Sequence, residues 1–173
     1  MRNVKIKKVN LSNIEQLQKI GIQSFTETYS SVNSEENMTQ YLENNFATAK
    51  LKTQVANKNS EFYFAELEGD IIGYLKINIG AAQTNIIDTN ALEIERIYVL
   101  SKFHGKKVGQ ILYEKAIEIS EQKKASYIWL GVWEKNPRAI RFYEKNGFVA
   151  FDKHLFYLGD DKQTDVLMKR TLE

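Results

Sequence analysis

A strand that passes through a short basic glycine turn into a helix lies in the middle of this chain. Residues 92–100 are rich in β-branched and apolar side chains, and the turn at 104–109 holds two glycines and two lysines. The apolar residues after the turn recur at helical spacing. Such a unit directs backbone N–H groups and the positive end of a helix at one point. It therefore predicts a coenzyme site that binds a pyrophosphate.

The composition restricts what else the chain could be. Its 173 residues, 43% of them apolar, suit a single domain over residues 1–173. A net charge of +2, from 24 basic and 22 acidic residues, gives no electrostatic footprint for nucleic acid, so we expect no nucleic-acid partner. With no cysteine and two histidines the chain offers no thiolate site and few metal ligands, so we expect no metal.

The first residues alternate charged and apolar side chains and form no apolar signal segment. No run approaches the roughly 20 apolar residues that a membrane span needs. We therefore expect a soluble, cytoplasmic protein without a membrane partner.

The order of predicted elements indicates the fold class. Period-2 runs predict strands at 4–9, 62–67, 71–79, 92–100, 127–133, 148–157 and 164–169. Helical periods lie between them, including three helices before the second strand. Because a helix joins the strands at 92–100 and 127–133, these two strands are expected to be parallel. The pattern predicts an α/β (α+β) domain with a mixed, mostly antiparallel sheet.

Local signals mark the ends of several elements. Ser12 and Ser34 each precede a helical pattern and are predicted N-caps. Asn136 followed by Pro137 predicts the start of a later helix, and Gly147 its end. Residues 68–70 predict a hairpin turn, and the polar segment 80–90 a loop.

The segment 136–148 reads Asn-x-x-Ala-x-x-Phe-Tyr-x-x-x-Gly-Phe, and together with the strand and turn at 92–109 it resembles the GNAT superfamily of acetyl-CoA-dependent N-acetyltransferases. Residues 93–99, 129–134 and 159–165 are most similar to the bacterial PaiA-type spermidine/spermine N-acetyltransferases. The resemblance implies a GNAT-type sheet with a splayed pair of parallel strands and helices on both faces. It implies acetyl-CoA as co-substrate and a polyamine as acceptor.

The resemblance also implies which residues bind the coenzyme. Ile97 and Val99 would hold its pantetheine arm through backbone hydrogen bonds, and the backbone N–H of Tyr98 would bind the carbonyl oxygen. Residues of the turn and three residues from the helices after it complete the set: His104, Gly105, Lys106, Lys107, Val108, Gly109, Gln110, Asn136 and Lys145. His104 and Lys107 depart from the family pattern, which has glycine at position 107.

N-acetylation requires a neutral amine and a proton for the departing thiolate. An amine of pKa about 10.4 is only about one part in a thousand neutral at pH 7, so a base is needed. Glu95 and Glu93 are the candidates; they share a face of the strand unless a bulge separates them. The resemblance implies that Glu95 is the base and Tyr143 the acid. As an alternative, both carboxylates are ordinary strand residues that pair with a cation such as Arg96.

Acidic residues occur in the segments that this family uses for the acceptor: Glu27, Glu35, Glu36, Glu43, Asp160, Asp161 and Asp165. They would attract a polycation through Coulomb forces. The alternatives are a protein or peptide N-acetyltransferase, or a catalytically silent acetyl-CoA-binding regulatory module. A monomer and a homodimer both remain open.

Overall fold

A seven-stranded mixed sheet organises the structure, a computed structural model that describes residues 3–85 and 88–172. The strands are β1 (Val4–Lys8), β2 (Ser60–Leu67), β3 (Asp70–Ile79), β4 (Ala91–Val99), β5 (Tyr127–Trp133), β6 (Val149–Leu158) and β7 (Asp161–Thr171). Their order across the sheet is β1-β2-β3-β4-β5-β7-β6. Neighbouring strands are antiparallel except β4 and β5, which are parallel as predicted.

Five α-helices cover the two faces of this sheet: α1 (Ile14–Tyr29), α2 (Glu35–Asn45), α3 (Thr48–Ala56), α4 (Val108–Gln122) and α5 (Pro137–Lys145). The helix α4 connects β4 to β5, which is the crossover that a parallel pair requires. None of the helices in residues 3–85 and 88–172 combines the length and the apolar character that a membrane crossing demands.

Two apolar cores form because the strands bury alternate residues on opposite faces. On one face, Leu75 and Ile94 pack with Leu112 of α4 and Tyr143 of α5. On the other face, strand residues such as Tyr74 pack with α1, α2 and α3. We refer to these as the α4 face and the α1 face.

The predicted helix caps are largely confirmed. The Ser34 side chain accepts a hydrogen bond from Asn37 N, and the Asn136 side chain accepts one from Ala139 N, with Pro137 in the first turn. The cap predicted at Ser12 is wrong. Asn10 caps a 3-10 turn there, in which its side chain accepts from Ser12 N, and α1 starts only after that turn.

The hairpin predicted at 68–70 is confirmed, since β2 and β3 are joined through Glu68 and Gly69, which both have positive φ. The predicted loop at 80–90 begins with a 3-10 turn, Gly80–Ala82, and two of its positions, 86 and 87, lie outside the described residues. The last strand is longer than predicted, because β7 pairs with β6 and β5 along its length.

Candidate active site

The parallel strands β4 and β5 separate in the middle of the sheet. They pair only over Ala91–Ile94 and Tyr127–Leu130, so the rest of β4 and the end of β5 have no hydrogen bonds to each other. A bulge in β4 begins this separation: β3 pairs Lys76 with Arg96 and Ile77 with Ile94, which leaves Glu95 as the extra residue. Bulges bend the strand that carries them. The result is a cleft between the carboxyl-terminal halves of two central strands.

Backbone amides of β4 line one side of this cleft. Leu100 N donates to Ile72 O in β3 at 2.9 Å. Because the direction of backbone groups alternates along an antiparallel strand, the Tyr98 N–H also faces β3, and those of Ile97 and Val99 face the cleft. The prediction that the Tyr98 N–H binds the carbonyl oxygen is therefore wrong. The predicted backbone positions at Ile97 and Val99 agree with the geometry.

The turn after β4 leads to a helix end that has no side-chain cap. Lys107 is the N-cap of α4, and among residues 3–85 and 88–172 no side chain bonds to the N–H groups of its first turn. His104 Nε2 lies 2.8 Å from Val99 O and fixes the turn against the end of β4. The free N–H groups and the helix dipole form a site for an anion, to which Lys106 and Lys107 add positive charge.

Lys107 adopts a left-handed backbone conformation, which glycine tolerates without a steric cost. Its φ of 66° and ψ of 12° are left-handed, and Gly105 also has a positive φ of 77°. For a side chain other than glycine this conformation costs roughly 1–2 kcal/mol. Lysine at position 107 therefore keeps the turn geometry but adds backbone strain to the turn.

The remaining predicted coenzyme residues belong to α4 and α5. Gln110 and Asn146 bond to each other through their amide side chains at 3.2–3.3 Å, which links α4 to the end of α5. The Asn136 side chain caps α5, and Lys145 is exposed in the last turn of that helix.

Tyr143 lies in the apolar core of the α4 face. Its ring is 5.3 Å from that of Phe142 and 5.6 Å from that of Phe148, centroid to centroid. Burial raises the pKa of the Tyr143 phenol above its ordinary value. The hydroxyl is thus protonated at neutral pH and can donate a hydrogen bond.

The two candidate bases contact the same amide. The Asn78 side chain donates to Glu93 at 3.0 Å and to Glu95 at 2.9 Å. The bulge therefore does not separate the two carboxylates, although the sequence predicts that a bulge would. Glu93 also accepts from the Thr84 N–H at 2.9 Å and from the Thr84 hydroxyl. Burial raises the Glu93 pKa, and the hydrogen bonds from Asn78 and Thr84 oppose that shift.

Glu95 lies between two cations. Its carboxylate is 2.8 Å from Lys76 Nζ and 3.3 Å from Arg96 Nε. Burial by itself would raise its pKa, but Arg96, Lys76 and Asn78 together lower it. This pairing with Arg96 is the one that the alternative interpretation of the sequence expected, and Lys76 joins it.

Lys76 and Asn78 are not among the site residues that the sequence predicts, although a signal for both is present in it. They are two apart in β3 and point to the same face, whereas their neighbours Leu75 and Ile77 are buried on the other. Two polar residues at alternate positions of a central apolar strand indicate a buried polar face. Both are almost completely buried.

Aromatic side chains cover the α1 face of the cleft. The Tyr29 ring is 5.0 Å from Trp133, and the Tyr74 ring is 6.0 Å from Tyr98. Trp133 Nε1 donates to Gln163 Oε1 at 2.8 Å, which fixes the indole at the end of β5. We call Tyr29 and Trp133 the aromatic wall; they keep 7% and 8% of their surface exposed at the end of β5, whereas Tyr74 is buried in the core.

The seven acidic residues predicted for the acceptor do not form one cluster. Glu27 accepts from the Ser101 N–H and hydroxyl, Asp160 from Asn37, and Asp161 from Gln163. Glu35, Glu36 and Glu43 line an open depression of about 700 Å³ along α2. Asp165 lies next to the cleft, directly opposite Trp133 in the β5–β7 pair.

Comparisons with known proteins agree with this architecture. The model of the acetyltransferase (GNAT) family matches residues 18–148. An uncharacterized N-acetyltransferase of Lactobacillus delbrueckii subsp. lactis is 40% identical over 172 residues, 99% of each chain. Spermidine N(1)-acetyltransferase of Thermoplasma acidophilum is 26% identical over 154 residues, 87% of this chain and 91% of its own.

Solved structures share the fold. PaiA N-acetyltransferase from Thermoplasma acidophilum, in complex with coenzyme A, has a TM-score of 0.81 at 24% identity, over 98% of this chain and 99% of its own. A probable acetyltransferase from Staphylococcus epidermidis has a TM-score of 0.78 at 15% identity, over 98% and 99%.

Replacing Lys107 by glycine should stabilise the protein. The change Lys107→Gly removes the cost of a left-handed side chain, so the free energy of unfolding should rise by about 1 kcal/mol. Lys106→Gly is the matched control, because Lys106 does not have a positive φ, and it should lower stability by about 0.5 kcal/mol. Urea denaturation of both variants measures the difference. Equal effects would contradict the assignment of strain to position 107.

The buried pair Lys76–Glu95 should be strongly coupled. Glu95→Gln leaves the buried Lys76 charge without its carboxylate partner and should lower the free energy of unfolding by about 3 kcal/mol, whereas Lys76→Met leaves Glu95 paired with Arg96 and should cost less. The double variant should lose clearly less than the sum. As a control, Lys8→Met removes an exposed lysine from Glu61, which keeps Lys123 at 3.8 Å, and should cost less than about 1 kcal/mol. Additive losses in denaturation experiments would show that the two groups do not interact.

Proposed function

The chain belongs to the GNAT family of acetyl-CoA-dependent N-acetyltransferases, and we propose that its acceptor is a primary amine of a polyamine such as spermidine or spermine. The observation that carries this proposal is the relation to the spermidine N(1)-acetyltransferase of Thermoplasma acidophilum, which spans 87% of the chain. The aromatic wall and the Asp165 carboxylate beside it support the proposal, because an organic cation gains from both cation–π contact and Coulomb attraction.

For acetyl-CoA we propose a position in the cleft between β4 and β5. The cleft-facing N–H groups of Ile97 and Val99 would pair with the amide groups of its pantetheine arm, as one strand pairs with another. The uncapped first turn of α4, with Lys106 and Lys107, would hold the pyrophosphate. The thioester supplies the acetyl group, and the chain supplies orientation and proton transfer.

Tyr143 is proposed as the donor to the leaving sulfur. A thiol of pKa near 8.5 leaves as a thiolate at little cost only if a donor stabilises the charge, and a protonated phenol can do this. The core of the α4 face keeps the phenol protonated, since its burial disfavours the phenolate. Asn136 and Lys145 remain candidates for coenzyme contacts, the first from the start of α5 and the second from its end.

A panel of amines tests the proposed acceptor. With acetyl-CoA, we expect purified protein to release CoA with spermidine and spermine, with kcat/KM about tenfold above that for a monoamine or a lysine peptide. Salt should raise KM for the polyamines more than for the monoamine, because Coulomb attraction is screened. If peptide amines react and polyamines do not, the acceptor is a protein or peptide and not a polyamine. Tight coenzyme binding without any transfer would indicate a silent regulatory module.

Tyr143→Phe tests the proposed acid. Loss of the hydroxyl should lower kcat about 100-fold while the KM for acetyl-CoA changes little, since the ring packing is retained. Tyr113→Phe is the control: its ring is 5.9 Å from the same Phe148, and its hydroxyl bonds to Arg170. The control should lose stability and keep its kcat. A kcat within threefold of wild type for Tyr143→Phe would rule out the role.

A further inference from the structure

A glycine lies open to solvent in the middle of the sheet. Gly131 belongs to the central strand β5, whose neighbouring residues Leu130 and Val132 are buried. It is exposed because β4 pairs with β5 only as far as Leu130 and then departs. Since Gly131 has no side chain, nothing on it blocks an approach to the cleft from the α1 face, where Trp133 points.

The carboxylate of Asp165 lies over this opening. Asp165 in β7 is opposite Trp133, and a methyl group on Gly131 would lie 3.3 Å from Asp165 Oδ2. Asp165 is half-buried, and no side chain or backbone donor within residues 3–85 and 88–172 forms a hydrogen bond or ion pair with its carboxylate. Its neighbours Asp160 and Asp161 both have such donors. Half-buried carboxylates are normally paired, so this one has capacity for a ligand.

The surroundings of Asp165 favour a cation. Trp133 lies beside it, with Tyr29 against the indole. Burial raises the pKa of Asp165 to about 6, and His154 on the neighbouring strand opposes the shift. A cation bound here would offset the cost of burying this charge.

We propose that Asp165 binds the reacting ammonium group of the acceptor over Gly131 and takes the first of the two protons that this nitrogen loses. This step rests on the proposed function. The proton passes from nitrogen to a carboxylate oxygen, and the nitrogen lone pair then forms a bond to the acetyl carbonyl carbon. The C–S bond breaks, and the sulfur leaves with a proton from Tyr143. The amide nitrogen then releases its second proton to water, Tyr143 regains a proton from water, and Asp165 returns its own proton to water.

Asp165 suits this role better than Glu95, the base that the family resemblance implied. Glu95 is paired with Lys76 and Arg96, and these cations both repel an incoming ammonium group and make the carboxylate a weaker proton acceptor. Asp165 has no cation within salt-bridge distance among the described residues. In this arrangement Glu95 neutralises Lys76 at the bulge and positions β4.

Asp165→Asn provides the test, because it keeps the shape of the side chain and removes its charge. With acetyl-CoA at saturation, we expect kcat to fall about 100-fold and the amine KM to rise about tenfold, with the acetyl-CoA KM unchanged. Asp152→Asn is the matched control: Asp152 is an exposed carboxylate on β6 that bonds only to the adjacent backbone in the described chain. It should retain wild-type kinetics.

Two further measurements locate the contact. Gly131→Ala places a methyl group 3.3 Å from Asp165 Oδ2 and 3.4 Å from Leu167, so it should lower kcat/KM for the amine about tenfold in a folded protein. Because the contact is with the reacting nitrogen, Asp165→Asn should lose the same factor with a monoamine as with spermidine. A loss confined to polyamines, or wild-type kinetics in Asp165→Asn, would overturn the proposal.

The assay uses whichever amine the wild type acetylates fastest. If the wild type does not acetylate polyamines but acetylates another amine, the proposed acceptor is wrong. The comparison of Asp165→Asn with the wild type then uses that amine. The inference about Asp165 fails if the wild type is active and Asp165→Asn has the same kinetics as the wild type. The two outcomes are therefore distinguishable.

Discussion

The separation of β4 from β5 is the constraint on which the rest of the site depends. Two parallel strands in the centre of a sheet normally pair along their length, yet here the pairing ends at Ile94 and Leu130. The bulge at Glu95 bends β4 away, and the ion pair with Lys76 joins that bulge to β3. Backbone groups that would have been satisfied by a neighbouring strand become available to a substrate. The sheet thus gives up hydrogen bonds at its centre and gains a binding cleft.

The two faces of the sheet contribute different chemical groups. On the α4 face, an apolar core holds Tyr143 as a protonated donor, and the uncapped start of α4 offers free N–H groups. On the α1 face, Tyr29 and Trp133 form an aromatic wall beside the half-buried Asp165. In the proposed mechanism, the donor for the leaving group and the acceptor for the first amine proton therefore act from opposite faces of the sheet, which suits a transfer between two substrates that enter separately.

Much of the fold could be predicted because local signals and tertiary structure agree. Ser34 and Asn136 cap their helices, and the span of β5 was predicted correctly. The Ser12 cap failed because Asn10 offered an equivalent side chain two residues earlier, and either residue type satisfies a free helix N–H group. Lys107 shows a different limit. The sequence departs there from the glycine of the family pattern, and the structure keeps the left-handed backbone despite its cost.

The sequence by itself determined the chemistry that is available: the family motif at 136–148, the strand–turn–helix unit, Tyr143, and the carboxylates near the cleft. The tertiary structure decided which of these groups are free to act. Hydrogen bonds between the neighbouring strands β3 and β4 occupy Glu93 and Glu95 through Asn78, and alternation of the backbone turns the Tyr98 N–H toward β3. Asp165 remains without a protein partner among the described residues. Whether a polar group is paired depends on contacts between segments far apart in the chain, and no local pattern records them.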